Sequence, residues 1–317
     1  MLAEIVTPEL FASAVRLATP IALAAVGAAI CERSGVVNIA MEGLMLVAAF
    51  FGVTAALFTG SIWTGVLAAV ASSVIFSALH AWASVNLRAD QVISGTAINI
   101  LALGVTGFLM ETIYGHPGTT NSVQRMPALS LPTGGEGPLA EAWRWIDTIF
   151  FSYTPIVYLS IFLAIFLTWA LYRTRWGLRL RSLGEHPRAA DTVGVNVVRG
   201  RWFAVLFAGV MSGLAGANLT LEQVGSFTEG MTNGRGFIAL AANIFGRWVP
   251  GGAYLASLLF GFANALQIKL QLFADVINIP KQFFLMLPYI LTVLVLAGAV
   301  GKARAPSALG KPFKEKG

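Results

Sequence analysis

The chain has 317 residues, of which 56% are hydrophobic and 11% are charged, and its formal net charge is +6. This charged share is less than half that of an ordinary soluble domain, so the composition indicates a membrane protein. The basic excess needs no nucleic acid as partner, because anionic lipid headgroups attract Lys and Arg at a membrane surface. Cys31 is the single cysteine, which excludes an intrachain disulfide.

Stretches without Asp, Glu, Lys or Arg predict the spans, since about 20 mostly apolar residues are needed to cross the hydrocarbon. A first stretch, 10–31, is interrupted by Arg16, and a late one, 236–246, is short. The others, in chain order, are 43–87 (two helices with a turn at 59–61), 91–110, 148–172, 202–221, 248–268 and 282–301. We therefore expect an all-α, polytopic membrane helical bundle of about eight transmembrane helices, within a range of eight to ten that includes broken or short helices.

Basic residues predict the orientation, because cytoplasmic loops carry an excess of Lys and Arg. Residues 173–201 contain seven arginines against Glu185 and Asp191, and the tail 302–317 is also basic. Both are expected in the cytoplasm, with the N-terminus outside and the C-terminus cytoplasmic. The chain 1–317 is then a single transmembrane domain with an extracytoplasmic loop at about 114–150, in which 139–146 is predicted to form a short interfacial helix.

Residues that could carry out chemistry are sparse. The three histidines have no ligand spacing with each other or with the cysteine, which argues against a metal site. The sequence also lacks a glycine-rich loop ending in Gly-Lys-Ser or Gly-Lys-Thr, the pattern that cradles phosphates. We expect no catalytic residue and no bound cofactor, so any ATP must be hydrolysed by another chain.

The stretch 184–195 has the pattern of a short helix, because Pro187 suits a first turn, Arg188 to Val193 can form the helix and Gly194 suits its end. Its Ala-Ala-x-x-x-Gly run resembles the Glu-Ala-Ala-x-x-x-Gly loop by which permeases of ATP-binding-cassette (ABC) importers engage their ATPases. Arg188 stands where that pattern has Glu. The longer run Gly-Glu-His-Pro-Arg-Ala-Ala, 184–190, resembles the variant of the branched-chain amino acid and simple-sugar permease superfamily.

Two further segments, 32–43 and 234–252, resemble the nucleoside-importing branch of that superfamily, and the similarity covers nearly the whole chain. The resemblance implies a permease subunit that moves nucleosides across a bacterial inner membrane by alternating access. It also implies three partners: a second, related permease in a heterodimer, a cytoplasmic ATPase that holds ATP and Mg²⁺, and an extracytoplasmic substrate-binding lipoprotein. The residues expected to couple to the ATPase are Glu185, Pro187, Arg188, Ala189, Ala190, Asp191 and Gly194.

Polar residues inside spans are costly in lipid and usually face protein or a water-filled path. The candidates for the substrate pathway are Asn38, Glu42, Asn99, Asn218, Glu222 and Asn243. Hydrogen bonding between helices is the competing role for each. Asn38 and Glu42 share a helical face, where they could form a gate or an ion pair with Arg33, or could cap their own helix and complement its positive end.

A weak internal repeat relates residues 42–49 to 235–242, and chance similarity of apolar sequence is the alternative explanation. Repeated halves are common in transporters, whose substrate sites form where the repeats meet. The break at 247–252 is either a hinge or a tight turn. Three other functions stay open: an ABC permease for ribose-like sugars or branched-chain amino acids, an ion-coupled secondary transporter that uses Glu111 or Glu222, and a membrane scaffold.

Overall fold

The computed structural model describes residues 7–129, 143–272, 280–288, 290, 293–294 and 304–314. Within these residues the chain is helical, with one isolated antiparallel bridge between Thr119 and Thr228. Seven of its helices are long and apolar enough to cross a membrane. The predicted polytopic helical bundle is confirmed.

The helices of the described residues are α1 (Pro8–Arg33), α2 (Met41–Thr59), α3 (Ile62–Ala81), α4 (Gln91–Tyr114), α5 (Pro155–Arg173), α6 (Arg175–Glu185), α7 (Pro187–Thr192), α8 (Val197–Ala217), α9 (Arg235–Phe245), α10 (Pro250–Gln271) and α11 (Lys281–Leu285). Wider π-helical turns extend α3 over Trp82–Asn86 and α8 over Asn218–Val224. A third, Asp147–Phe151, precedes α5. Of the predicted helix 139–146, only 143–146 are described, and these residues are helical.

Local sequence determines where several spans begin and end. Both α5 and α10 start with a proline, whose missing N–H costs nothing in a first turn. The Asp90 carboxylate accepts the backbone N–H groups of Val92 and Ile93 and so caps α4. Gly60 and Gly115 end α2 and α4 with φ of 69° and 73°, a conformation that glycine adopts without a Cβ clash.

The core is built around α1, which packs against α8, α9 and α10. Small residues let these helices approach closely, as is usual where lipid removes the hydrophobic driving force between helices. A Cβ added to Gly261 of α10 would lie 2.3 Å from the Ala14 carbonyl oxygen of α1. One added to Gly216 of α8 would lie 2.5 Å from the Met45 carbonyl oxygen of α2. Glycine at these positions is therefore a packing requirement.

The bundle has two distinct ends. Helices α6 and α7 and the segment 304–314 lie together at one of them, which we call the basic end; the Ala308 N–H donates to the Gly184 carbonyl there, at 2.8 Å. Residues 115–129 and 143–154 lie at the opposite end, the loop end, where the Leu129 N–H donates to the Tyr153 carbonyl at 2.8 Å. Placement of the basic end in the cytoplasm remains a prediction.

The predicted crossing at 236–248 is discontinuous. Helix α9 has 11 residues, so it is about 16 Å long, roughly half the hydrocarbon thickness. The chain before it returns from the loop end without forming a helix, and Phe227 in this stretch packs edge-to-face on Phe50 with centroids 5.2 Å apart. Such backbone is tolerated at membrane depth only where protein covers it.

The structure also indicates one more membrane crossing than the eight that the sequence predicts. The seven long helices, this broken crossing and the stretch 282–301, half of which lies outside the described residues, would together make nine. Termini on opposite sides require an odd number, so nine fits the predicted orientation better than eight does. Nine also lies within the predicted range of eight to ten.

Candidate transport and docking sites

Glu42 joins the start of α2 to the start of α9. Its two carboxylate oxygens accept the backbone N–H groups of Gly234 at 2.8 Å and Gly236 at 2.7 Å. The first N–H groups of a helix have no partner within the helix, and the positive end of the helix dipole favours a carboxylate. Glu42, which lies in the first turn of its own helix α2, therefore caps α9.

Asn38 and Asn99 hold the residues that lead into α2. Asn38 is fully buried, and its side-chain oxygen accepts the Ala40 N–H at 3.1 Å in a local turn. Because α2 begins at Met41, Asn38 lies two residues before the cap position, Ala40, that it was predicted to occupy. Asn99 of α4 accepts the Gly43 N–H at 2.8 Å and donates to the Ile39 carbonyl at 3.0 Å. Both amides thus make contacts within the protein.

Glu32 accepts a hydrogen bond from Asn243, the pathway candidate in α9. The Asn243 side-chain amide donates to the Glu32 carboxylate at 2.9 Å, and the Trp248 indole N–H donates to the same oxygen at 2.5 Å. The Glu32 and Asn243 side chains are both buried. A buried carboxylate is stable only when hydrogen-bonded or paired, so these two donors keep Glu32 inside the bundle.

Arg33 stabilises the break between α9 and α10. Arg247 and Trp248 have φ of 56° and 57°, a left-handed conformation that costs a residue other than glycine roughly 1–2 kcal/mol. The Arg33 guanidinium donates to both of their carbonyl oxygens, at 3.0 and 2.7 Å. It also lies 3.9 Å from the Glu185 carboxylate. The break is a tight turn held by α1, and Arg33 contacts this break and Glu185, not Glu42.

Glu222 lies in the π-helical turn that ends α8, toward the loop end. Its carboxylate accepts the Thr154 hydroxyl at 2.5 Å, the Ile156 N–H at 3.1 Å and the Asn218 side-chain amide. Gln223 in turn donates to Asn218, at 2.8 Å. Because Ile156 is in the first turn of α5, Glu222 caps α5 as Glu42 caps α9.

A cavity of about 460 Å³ opens beside this cluster, between α1, the end of α8 and α10. Asn218 and Glu222 both line it, so two of the six pathway candidates face a space that could hold a small molecule. Its remaining charged lining consists of Arg16, Arg125, Lys269 and Glu9. Nine of the fifteen lining residues are polar or charged, and polar groups in a pocket can fix the orientation of a bound small molecule. Of the other four candidates, Glu42, Asn99 and Asn243 connect separate segments nearer the basic end, and Asn38 forms a local turn before α2.

The short helix predicted within 184–195 is present as α7. It runs from Pro187 to Thr192, and Gly194 follows it with φ of 82°. Ala190 is buried, and its N–H donates to the His186 carbonyl at 3.0 Å. Arg188 and Asp191, like Ala189 and Gly194, are exposed, while Glu185 and Pro187 are half-buried. One side of α7 is thus anchored in the bundle and the other is exposed.

Similarity to known proteins shows the family of this chain. The family described as the permease component of the branched-chain amino acid transport system matches residues 10–296. The chain belongs to this permease family. The guanosine ABC transporter permease protein NupQ of Bacillus subtilis is 45% identical over 309 residues, which cover 93% of each chain.

Two further relatives of this permease cover a similar share. The nucleoside ABC transporter permease protein NupC of Lactococcus lactis is 40% identical over 92% of each chain. The putative glucose ABC transporter permease protein TsgC13 of Haloferax volcanii is 35% identical over 93% of this chain and 94% of its own. The predicted resemblance is confirmed, and the permease is a multi-pass membrane component of a transport system.

Two residues that form a buried hydrogen-bonded cluster with the candidate Asn243 were missed from the sequence. Glu32 was not among the pathway candidates, although its position at the end of the first apolar stretch marks it as a charge at the membrane boundary. Trp248 was assigned only to a break between helices. The signal for both is their place in the two segments, 32–43 and 234–252, that resemble the family.

Proposed function

We propose that this permease is the membrane subunit of an ABC importer that moves nucleosides across a bacterial inner membrane. The observation that carries the proposal is α7, a short exposed helix anchored by buried Ala190 at the basic end of the bundle. The substrate class is supported by the similarity to guanosine and nucleoside permeases over more than nine-tenths of each chain. No covalent step acts on the substrate.

Energy would enter the permease through α7. A cytoplasmic ATPase that binds ATP and Mg²⁺ would press on the exposed residues Arg188, Ala189 and Asp191. Ala190 belongs to the same buried apolar cluster as Leu183 of α6 and Val197 of α8. Movement of α7 would therefore be transmitted to α6, which follows span α5, and to the span α8, and would switch the bundle between its two openings.

A second, related permease is the partner we propose within the membrane. The outward face of α4 exposes both apolar residues and the Glu111 carboxylate. A carboxylate on a span is costly in lipid and normally faces protein or a water-filled cavity. This face of α4 would therefore lie against the second permease, and an extracytoplasmic lipoprotein would deliver substrate to the loop end.

Sugar transport is the second candidate function. The 35% identity to a putative glucose permease supports it directly. An ion-coupled mechanism is less well supported, because the Glu222 carboxylate is engaged by three donors that tie α8 to α5. The family assignment likewise favours an ABC permease over a self-sufficient transporter.

Uptake of radiolabelled guanosine, in cells with and without this chain, tests the substrate class. We expect unlabelled adenosine and other nucleosides to compete, and leucine, ribose and glucose to have no effect. Competition by ribose or glucose without competition by adenosine would replace the nucleoside assignment with the sugar one. Uptake that does not depend on the chain would contradict a transport role.

A further inference from the structure

The C-terminal segment 304–314 is folded onto the basic end of the permease. The Ala308 N–H donates to the Gly184 carbonyl of α6 at 2.8 Å, and the Gly310 N–H donates to the Gly35 carbonyl after α1 at 3.1 Å. The buried Arg201 of α8 donates to the Lys311 carbonyl at 2.9 Å. The segment is thus tied to three separate parts of the bundle, mostly through its main chain.

Glu185, one of the predicted coupling residues, is part of this attachment. One carboxylate oxygen accepts the Ser307 hydroxyl at 3.0 Å and the Ser307 N–H at 3.3 Å. The other lies 3.9 Å from Arg33. The negative charge at the end of α6 is therefore already partnered by groups of the permease.

A groove of about 480 Å³ separates the segment from α7. His186, Arg188 and Ala189 line one side, and Lys311, Phe313 and Lys314 line the other. The side chains of Arg188, Lys311 and Lys314 are exposed. Their three positive charges face the groove against the single carboxylate of Glu185, so the groove is basic overall.

We propose that this groove receives an acidic surface segment of the ATPase, so that the C-terminal segment forms the second wall of the docking site. The inference rests on the proposed function, because it requires an ATPase partner. The groove adjoins α7, and its net positive charge favours a negatively charged occupant. A second copy of this chain would bring like charges together there, which costs free energy.

Because the segment 304–314 is attached to the bundle, a partner bound in the groove would act on more of the permease than α7. An ATPase that held both walls would act on α7 and, through the segment, on the residues after α1 and on α8. Charge attraction of this kind mainly affects the association rate and weakens as salt screens it. The docking affinity should therefore fall with ionic strength.

Cysteine labelling tests the proposal cleanly, because Cys31 is fully buried and should react little with an added maleimide. Arg188→Cys reports on α7, Lys314→Cys reports on the opposite wall, and Arg304→Cys is the matched control. Arg304 is exposed on the same segment but does not line the groove. Each variant would be labelled in inside-out membrane vesicles, with and without the co-produced ATPase.

We expect the ATPase to slow labelling of Arg188→Cys and Lys314→Cys by roughly fivefold, and that of Arg304→Cys hardly at all, with the protection lost at high salt. Protection of Arg188→Cys alone would overturn the claim that the segment 304–314 forms the second wall, and would leave docking on α7 intact. Protection of neither, while the ATPase still co-purifies, would overturn docking on α7 as well. Protection of Lys314→Cys by anionic lipid vesicles without the ATPase would identify lipid as the occupant and overturn the proposal.

Charge reversal gives an independent measurement. Lys314→Glu should lower the yield of co-purified ATPase by roughly three- to tenfold, because it turns an attractive contact at the rim into a repulsive one. Arg304→Glu makes the same change of charge on the same segment and should leave the yield within about twofold. Equal yields for the two variants would contradict the role of the groove.

Discussion

Gly236 lies where α9 begins against α2, and there is no room for a side chain. A Cβ added there would lie 2.4 Å from the Glu42 nitrogen, 2.5 Å from the Glu42 Cα and 2.8 Å from the Met41 carbonyl carbon. These are backbone atoms, so no rotamer change relieves the clash and the two helices must separate. We expect Gly236→Ala to destabilise the permease by about 2–4 kcal/mol, from overpacking and from weakening the two hydrogen bonds of Glu42.

Gly104→Ala is the matched control, since a Cβ at Gly104 of α4 would have no atom within 4 Å. Alanine is favoured over glycine in a helix interior by roughly 0.5–1 kcal/mol, so this variant should be as stable as the wild type or slightly more so. Thermal denaturation of the two purified variants in one detergent makes the comparison. Equal melting temperatures would refute the argument that contact between α9 and α2 is limited by backbone clearance.

Three other substitutions test single contacts. Glu42→Ala removes the acceptor for the first N–H groups of α9 and should destabilise the permease by about 2–4 kcal/mol; unchanged thermal denaturation would show that this cap contributes little. Trp248→Phe keeps a ring but removes the donor to Glu32, and should lower the stability by about 1–3 kcal/mol in the same assay. Ala190→Arg places a bulky charge at a buried position of α7 and should abolish ATP-driven guanosine uptake. Membrane immunoblots should show that the variant still reaches the membrane. Normal uptake by this variant would exclude α7 as the coupling element.

The sequence predicted those features that depend on nearby residues. Missing charges located the long spans, and Pro187 and Gly194 located α7 to within one residue of its observed bounds. The broken crossing was harder to predict, because the non-helical stretch before α9 is stabilised by residues distant in the chain. Phe227 reaches Phe50, for example, and Gly234 reaches Glu42.

The candidate site shows the same division between features that depend on nearby residues and features that depend on residues distant in the chain. Six polar residues could be selected because a polar group in an apolar span needs a partner. Their partners could not be selected, since Glu42 and Gly236 are 194 positions apart and nothing in local periodicity pairs them. The segment 304–314 was predicted only as a basic tail, because its attachment runs mostly through main-chain groups that leave no trace in side-chain identity.

The source of energy for transport is the central claim, and reconstitution measures it directly. Proteoliposomes would contain either this permease alone or the complex with its second permease and ATPase, supplied with the binding lipoprotein, and would be assayed for radiolabelled guanosine uptake. We predict uptake only by the complex, only with ATP and Mg²⁺, and none by this chain alone under a proton or sodium gradient. Gradient-driven uptake by this chain alone would contradict the account and identify an ion-coupled transporter.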